Sequence, residues 1–417
     1  MTDHTHQEHE LIYDWNTVAN FETLPEQIEF DDETLRDGLQ SPSVTDPPIE
    51  KKIEILHLME SLGIQTANVG LPGAGPRAVA DVTRLVQEIA DNNMKTRPNC
   101  AARTHINDIQ PVVEISQKTG IPIEVCTFIG SSPIRQYTED WTLEQMLEHT
   151  VNASKICARE GLPQMYVTED TTRAHPDTIR ALYTAAIEHG AKRACVCDTV
   201  GHVTPTGVTN LIKYIAQVVA DTGVDGVKID WHGHRDRNLD IANAIAALAA
   251  GATRVHGSAL GIGERCGNAA MDLLLVNLKL YGAIDNDLRK LPEYVRTVSE
   301  ACDVPIPRNY PVFGDDAFET ATGVHAAAVI KAFKKDDAWL ANRVYSGVPA
   351  DEFGLEQKIS IGPMSGRSNV IFWLERRGMA PEEGLVTAIF DEAKRSNHTM
   401  TDDEVLAVVE KQKSLGV

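Results

Sequence analysis

Two histidines separated by a single residue, His232 and His234, have the spacing in this sequence that points most directly to chemistry. They end the run VKIDWHGH, which is typical of a strand, and alternate residues of a strand point to the same side. Both imidazoles can therefore bind one metal ion, although two histidines on a strand can equally be polar residues satisfied by the fold. Asp37, after an earlier strand-like run, adds an oxygen ligand and leaves open positions for a substrate. This set favours a divalent metal site for Mn²⁺, Zn²⁺, Fe²⁺ or Mg²⁺.

Eight short runs typical of strands must position these residues, and longer segments with helical spacing of apolar residues separate them. The runs cover residues 28–35, 66–70, 97–102, 122–128, 164–169, 193–199, 227–234 and 254–261. This alternation indicates a parallel sheet, and eight such units closing on themselves predict an α/β fold, a (β/α)8 TIM barrel. The residues at or just beyond the carboxyl ends of the runs include Arg36, Asp37, Glu169, Thr199, His232 and His234. Because these ends meet on one face of a barrel, the sequence predicts one shared site.

The pattern changes at about residue 283, where helical periodicity continues without further strand-like runs of the barrel type. We therefore expect an N-terminal extension (residues 1–27), a catalytic barrel (28–282) and an α-rich C-terminal extension (283–417).

Composition excludes several functional classes. The 417-residue chain has a net charge of −21, which argues against nucleic acid as a partner, because that requires a clustered basic face. No apolar run approaches the roughly 18 residues that can span a bilayer. The N-terminus lacks the basic start and apolar stretch of a secretory signal, so we expect a cytoplasmic protein. An odd number of cysteines favours reduced thiols, and we expect the Cys195-x-Cys197 pair to pack in the core.

Four motifs in order along the chain resemble those of one enzyme family. Residues 32–40 (DETLRDGLQ) resemble DTTLRDGEQ, and 198–205 (DTVGHVTP) resemble DTVGxxTP. Residues 232–244 (HGHRDRNLDIANA) resemble HxHND followed by AxAN, and 261–268 (GIGERCGN) resemble GxGERxGN. Together they are similar to the DRE-TIM metallolyases, and within these to the acyl-CoA-condensing synthases that make 2-isopropylmalate or homocitrate. The resemblance implies a TIM barrel and a metal-dependent reaction of acetyl-CoA with a 2-oxo acid.

The resemblance also implies a role for individual residues at the metal. Asp37, His232 and His234 would hold the ion, with Asn268 as a fourth ligand or a neighbouring group. The 2-oxo acid would chelate the ion through its carboxylate and keto oxygens, which makes the keto carbon electrophilic.

Three further residues are expected to contact the substrate. Arg36, adjacent to a ligand, would stabilise the alkoxide that develops when the keto carbon is attacked. Thr199 would donate a hydrogen bond to the substrate carboxylate, and Gln40 belongs to the same substrate-binding group. A salt bridge at the barrel mouth is the alternative for Arg36, and a strand-end cap is the alternative for Thr199.

Condensation requires a base that removes a proton from the acetyl-CoA methyl group. Similar enzymes use a histidine in the appended region, which corresponds here to His325, and a glutamate that assists it, which corresponds to Glu169. In those enzymes the extension reaches the neighbouring subunit. The resemblance therefore implies a homodimer, and it leaves open whether His325 acts in its own barrel or in its partner's. Without the resemblance, His325 would be a packed or solvent-facing residue of a helix.

The pocket for the 2-oxo acid gives conflicting signals. Arg135 resembles an arginine that homocitrate synthases carry after a similar segment, and the resemblance implies that it pairs with a second carboxylate, which favours 2-oxoglutarate. Met165 and Val167 stand where a homocitrate-forming enzyme has polar residues, which favours a branched or aromatic side chain. Residues 68–72, which read NVGLP, also depart from the family segment IE-GFP. Substrate specificity is therefore the part of the function that the sequence leaves open.

The sequence most favours a 2-isopropylmalate synthase-like acyltransferase, with homocitrate or citramalate synthase as the alternative. A metal-dependent lyase or aldolase, such as one acting on hydroxymethylglutaryl-CoA, is an alternative of another class. That branch carries a cysteine in its glycine-rich loop, as Cys266 is here, but the GER-GN form and the long extension favour a synthase. A catalytically silent barrel that acts as a binding partner is disfavoured, because the metal-binding set and Arg36 occur together.

Overall fold

The structure, a computed structural model, describes residues 11–17 and 24–414. The described residues form two compact units, one within Asn20–Pro305 and one that joins Ile306–Val417 to residues of the N-terminal segment before Asn20. Most of the predicted N-terminal extension, residues 1–27, lies outside the described residues.

The first unit is a closed barrel of eight parallel strands that follow one another in chain order. The strands are β1 (Glu29–Asp32), β2 (Thr66–Asn68), β3 (Arg97–Arg103), β4 (Glu124–Gly130), β5 (Gln164–Glu169), β6 (Arg193–Asp198), β7 (Lys228–Gly233) and β8 (Arg254–Gly257). The barrel closes where β8 pairs with β1, from Glu29 opposite Arg254 to Asp32 opposite Gly257. The predicted fold class, a TIM barrel, is confirmed.

Helices with one apolar face surround the strands. In the helix Pro76–Asp91, for example, the buried residues Val82, Leu85, Val86 and Ile89 recur at helical spacing. The longer helices of this unit are Ile49–Ser61, Pro76–Asp91, Ile106–Thr119, Leu143–Arg159, Pro176–Glu188, Pro205–Asp221, Asp240–Ala250, Met271–Leu280 and Leu291–Cys302, and a short helix, Pro133–Glu139, follows β4.

Charged residues fill the amino-terminal end of the barrel interior. Arg254, only 1% exposed, donates to Asp230 (2.6 Å) and to Glu124 (2.7 Å). Arg193 donates to the other oxygen of Asp230 at 2.7 Å. Although burial opposes it, the two arginines hold the pKa of Asp230 below its usual range. These charges are mutually paired, so this end of the barrel is built for stability and the opposite end is left for chemistry.

The second unit is α-rich, as the sequence predicts for the C-terminal extension. Its helices are Gly323–Lys334, Ala338–Arg343, Arg367–Arg376, Glu383–Arg395 and Asp402–Ser414. A two-stranded parallel sheet joins β9 (Glu319–Thr320) to β10 (Lys358–Ile359). Gly323 permits a close contact, since a Cβ atom there would lie 2.7 Å from the amide nitrogen of Gly366.

Among the helices that the structure describes, none is long and apolar enough to cross a membrane.

Candidate active site

Three predicted metal ligands meet at the carboxyl end of the barrel. His232 lies on β7, His234 follows that strand directly, and Asp37 follows β1. The two imidazole Nε2 atoms are 3.1 Å apart, and Oδ2 of Asp37 lies 3.7 Å from Nε2 of His232 and 3.6 Å from Nε2 of His234. All three residues are buried. The structure thus brings one carboxylate and two imidazole nitrogens around a common point.

The surroundings of these residues fit a divalent metal ion. Nδ1 of His232 lies 2.9 Å from Oε2 of Glu33, which leaves Nε2 of that ring as the nitrogen for a ligand bond. Burial and the neighbouring His232 lower the pKa of His234 to about 4, so this imidazole is in the neutral, metal-binding form at pH 7. Asn268 pairs with His234 in a β-bridge and donates its Nδ2 to the Ile262 carbonyl (3.2 Å), while its buried Oδ1 has no partner among the described residues.

Glu33 and His256 are parts of this site that sequence reasoning missed. Glu33 lies within the motif that carries the resemblance, but no role followed from its position there. Its Oε1 lies 3.3 Å from Nδ1 of His256, and Glu33, His232 and His256 form a second group with metal-binding atoms close together. The signal for His256 was the alternation on β8, which turns Arg254 and His256 to the barrel interior.

Arg36 lines the same cavity and is fixed by two carboxylates. Its Nη2 donates to Oε1 of Glu33 at 2.8 Å, and its Nη1 lies 3.5 Å from Oδ1 of Asp37. Although burial opposes it, Arg36 and His232 hold the pKa of Glu33 well below its usual range. The guanidinium therefore makes a salt bridge and lies beside the predicted metal ligands, while its role toward the alkoxide stays a prediction.

Thr199 lines the cavity beside these residues. Its Oγ1 accepts the backbone N–H of Asp170 at 2.8 Å, so the hydroxyl proton is directed elsewhere. Arg265 holds the Thr199 backbone, donating to its carbonyl oxygen at 2.6 Å and to Asp236 at 2.7 Å. Thr199 thus lies at the cavity with a donor available.

Glu169 and Arg135 are neighbours at the end of β4 and β5. Nη2 of Arg135 lies 3.6 Å from Oε2 of Glu169 and 3.4 Å from Oε1 of Glu139. Burial raises the pKa of Glu169, even though Arg135 acts in the opposite direction. Glu169 lines the cavity, whereas Arg135 is not among its lining residues.

The cavity measures about 340 Å³ and has two chemically different sides. The polar side consists of residues on or after β1, β7 and β8, which are Glu33, Arg36, Asp37, Gln40, His232, His234 and His256, and the predicted residues Glu169 and Thr199 line the cavity at the ends of β5 and β6. The opposite side, which we call the apolar wall, consists of Leu71, Ala101, Cys126, Phe128, Met165, Val167, Cys195 and Cys197. The two sides match a substrate that has a charged, chelating end and a largely apolar remainder.

The cysteine pair of β6 belongs to this apolar wall. Cys195 and Cys197 are buried against Cys126 and Met165, with their sulfur atoms 3.9 Å apart. The predicted core packing is confirmed, and all seven cysteines of the chain are free thiols, with Cys266 exposed.

His325 belongs to the second unit. It lies near the start of the helix Gly323–Lys334, is exposed, and stacks on Tyr345 with ring centroids 4.2 Å apart. Its proposed role as the base therefore stays a prediction.

Comparison with known proteins gives a consistent family relationship. A sequence profile described as HMGL-like matches residues 27–298. The homocitrate synthase AksA of Methanopyrus kandleri is 33% identical over 376 residues, which cover 89% of this chain and 88% of that protein. The 2-isopropylmalate synthase of Sulfurisphaera tokodaii is 29% identical over 380 residues, which cover 90% of this chain and 92% of that protein. The crystal structure of the HMG-CoA lyase of Bacillus subtilis superposes with a TM-score of 0.57 at 20% identity, covering 68% of this chain and 96% of the lyase.

Proposed function

Because this chain belongs to the HMGL-like family, the DRE-TIM metallolyases, we propose that it is an acyltransferase that condenses acetyl-CoA with a 2-oxo acid and releases CoA. The observation that carries the proposal is the presence of Asp37, His232 and His234 in one cavity with Arg36 and an apolar wall. The polar residues suit the carboxylate and keto group of a 2-oxo acid, and the apolar wall suits its side chain.

The polar side of the cavity supplies the groups that the reaction needs. A divalent ion held by Asp37, His232 and His234, with Asn268 beside them, would polarise the keto group of the 2-oxo acid. Arg36 stabilises the negative charge that develops on the keto oxygen when the carbon is attacked. Thr199 donates a hydrogen bond from its hydroxyl to the substrate carboxylate.

The second half of the reaction concerns the acetyl group. His325, assisted by Glu169, removes a proton from the acetyl-CoA methyl group, and the resulting carbon attacks the keto carbon. A new carbon–carbon bond forms, and water then cleaves the thioester to give the 2-substituted malate and free CoA.

The side chain of the substrate is uncharged in this proposal, as for a 2-isopropylmalate synthase. Ala101, Phe128, Met165 and Val167 provide an apolar surface, which penalises a charged side chain because its hydration is lost. Homocitrate synthase is the second candidate. Arg135 favours it, since this guanidinium lies near the cavity residue Glu169, and so does the homocitrate synthase from Methanopyrus kandleri.

The test is CoA release from acetyl-CoA with Mn²⁺ and, in turn, pyruvate, 2-oxoisovalerate, 2-oxoglutarate, oxaloacetate and phenylpyruvate. Release that depends on an uncharged 2-oxo acid supports the proposal, and release with 2-oxoglutarate alone supports the second candidate. Cleavage of hydroxymethylglutaryl-CoA without added acetyl-CoA, and no release with any oxo acid, would replace both by the lyase class.

A further inference from the structure

Asn68 is a buried amide that lines the reaction cavity without a hydrogen-bond partner. It ends β2, is 0% exposed, and neither its Nδ2 nor its Oδ1 has a partner among the described residues. Buried side-chain polar atoms in proteins are almost always hydrogen-bonded, because an unpaired one costs the free energy of its lost hydration. Both ends of this amide are therefore available to a molecule that enters the cavity.

The adjacent strand offers a direct comparison. Asn99, opposite Asn68 in the register of β2 and β3, is also 0% exposed, but both ends of its amide are satisfied. Its Nδ2 donates to Asp31 at 2.5 Å, and its Oδ1 accepts from the thiol of Cys126 at 3.3 Å. Asn99 thus has hydrogen-bond partners inside the barrel, whereas Asn68, which lines the cavity, has none among the described residues.

Asn68 also stands between the two sides of the cavity. On one side is β1, which Glu33 and Asp37 follow, and on the other side is β3, where the apolar wall includes Ala101. The chelating end of the substrate already has Arg36 and Thr199 as donors. A polar partner for Asn68 is therefore needed on the remainder of the substrate, which the apolar wall surrounds.

We propose that Asn68 is a specificity-determining residue and that the 2-oxo acid carries one neutral hydrogen-bonding group, a hydroxyl or an amide, on an otherwise apolar side chain. A carboxamide needs both an acceptor for its N–H and a donor for its carbonyl oxygen. A hydroxyl or an amide supplies both, whereas a carboxylate only accepts and an alkyl group does neither. This inference rests on the proposed function and narrows its substrate class.

The experiment compares 2-oxo acids of nearly identical shape. The first series is 2-oxosuccinamate, oxaloacetate and 4-methyl-2-oxopentanoate, whose side chains end in an amide, a carboxylate and an isopropyl group. The second pair is 4-hydroxy-2-oxobutyrate and 2-oxopentanoate. We expect kcat/KM for CoA release to be about tenfold or more higher for an amide or hydroxyl member than for its alkyl counterpart, since loss of one buried hydrogen bond has this effect. The carboxylate member should also be the poorer substrate.

Asn68→Leu removes both hydrogen-bonding ends at similar volume and should invert this preference in favour of the alkyl members. If the leucine variant does not fold, Asn68→Ala replaces it in the same comparison. Asn99→Ala is the matched control, because it removes a buried amide of the adjacent strand that does not line the cavity, and the ratio between amide and alkyl substrates should survive it. A wild-type enzyme that prefers the alkyl member, or a ratio that Asn68→Leu leaves unchanged, overturns the proposal.

Calorimetric titration of the same compounds into the Mn²⁺-loaded protein, without acetyl-CoA, separates this inference from the proposed function. If no 2-oxo acid supports CoA release, the proposed function fails. The binding series then still decides the role of Asn68: tighter binding of the amide or hydroxyl member that Asn68→Leu abolishes supports it, and equal binding across the series contradicts it.

Discussion

His234 is the residue whose loss we expect to affect the candidate metal site most. His234→Ala removes one of two imidazole donors, so the protein should lose bound Mn²⁺ in elemental analysis. Loss of a residue that only hydrogen-bonds to a metal ligand typically lowers activity by about 10–100-fold. The rate of CoA release should fall by more than this, because His234 is itself a predicted ligand. The control is His57→Ala, an exposed histidine paired with Glu88 on the outer helices. A folded His234→Ala protein with normal metal content and near-normal turnover would contradict the metal assignment.

The sequence predicted that Asp37, His232 and His234 would come together, but not which residues orient them. His232 and His234 can be recognised from the sequence because a strand turns alternate residues to one side. Glu33 has no such local signal, because its contacts join the segment after β1 to β7 and β8, elements separated by about two hundred residues of sequence. The amide of Asn68 is likewise recognisable only when its missing partners are seen.

Glu169 should give the reaction a pH dependence of known direction. Burial raises the pKa of this carboxyl, and its proposed assisting role needs the ionised form. Activity should therefore fall as pH decreases through a pKa above that of an ordinary glutamate. Glu169→Gln should lower kcat/KM by about 10²–10⁴-fold, the range for acid–base groups. The residual activity of this variant should no longer fall at low pH, so the acid limb of the pH–rate profile should be absent. Glu139→Gln, which removes the other carboxylate near Arg135 outside the cavity lining, should retain the limb in the pH–rate profile.

At the scale of elements, the alternation of strands and helices was sufficient to predict the barrel. Each strand-like run is bounded by turn residues and followed by a segment whose apolar residues recur at helical spacing, and this local pattern defines βα units. The contacts that close the interior were not predictable in this way. Arg254 meets Asp230 from the adjacent strand and Glu124 from the other side of the barrel, and no local pattern encodes such a meeting.

The charged layer at the amino-terminal end of the barrel should be important for stability. Arg254→Met leaves Glu124 and Asp230 with one arginine between them in a buried position, so we expect the free energy of unfolding to fall by about 3–5 kcal/mol. Arg97→Met is the matched control, because Arg97 pairs with Glu29 at the same end but is 58% exposed, and its loss should cost about 1 kcal/mol or less. Urea denaturation of both variants measures the difference. Equal destabilisation would show that the buried layer contributes no more than a surface pair.

At the scale of the whole molecule, the question is which barrel His325 serves. Two apolar residues near it, Val324 and Met364, are 72% and 71% exposed, and the backbone N–H of Gly323 donates to the carbonyl oxygen of Met364 at 3.0 Å. Single exposed apolar side chains are common on protein surfaces and need no partner to explain them. The homodimer is therefore still a prediction, and the resemblance leaves open whether His325 acts in its own barrel or in its partner's.

Complementation between two inactive variants tests this arrangement. His325→Ala lacks the proposed base but retains the predicted metal ligands, and His234→Ala lacks one of these ligands but retains the base. Neither variant should therefore be active alone. If the base acts across the dimer, random reassociation of equal amounts makes half of the dimers mixed, each with one complete site, and about one quarter of wild-type activity should return. Sedimentation of the same samples shows whether the protein is dimeric. No recovery from dimers shown to have exchanged subunits would place His325 in its own barrel, and an active monomer would contradict the dimer itself.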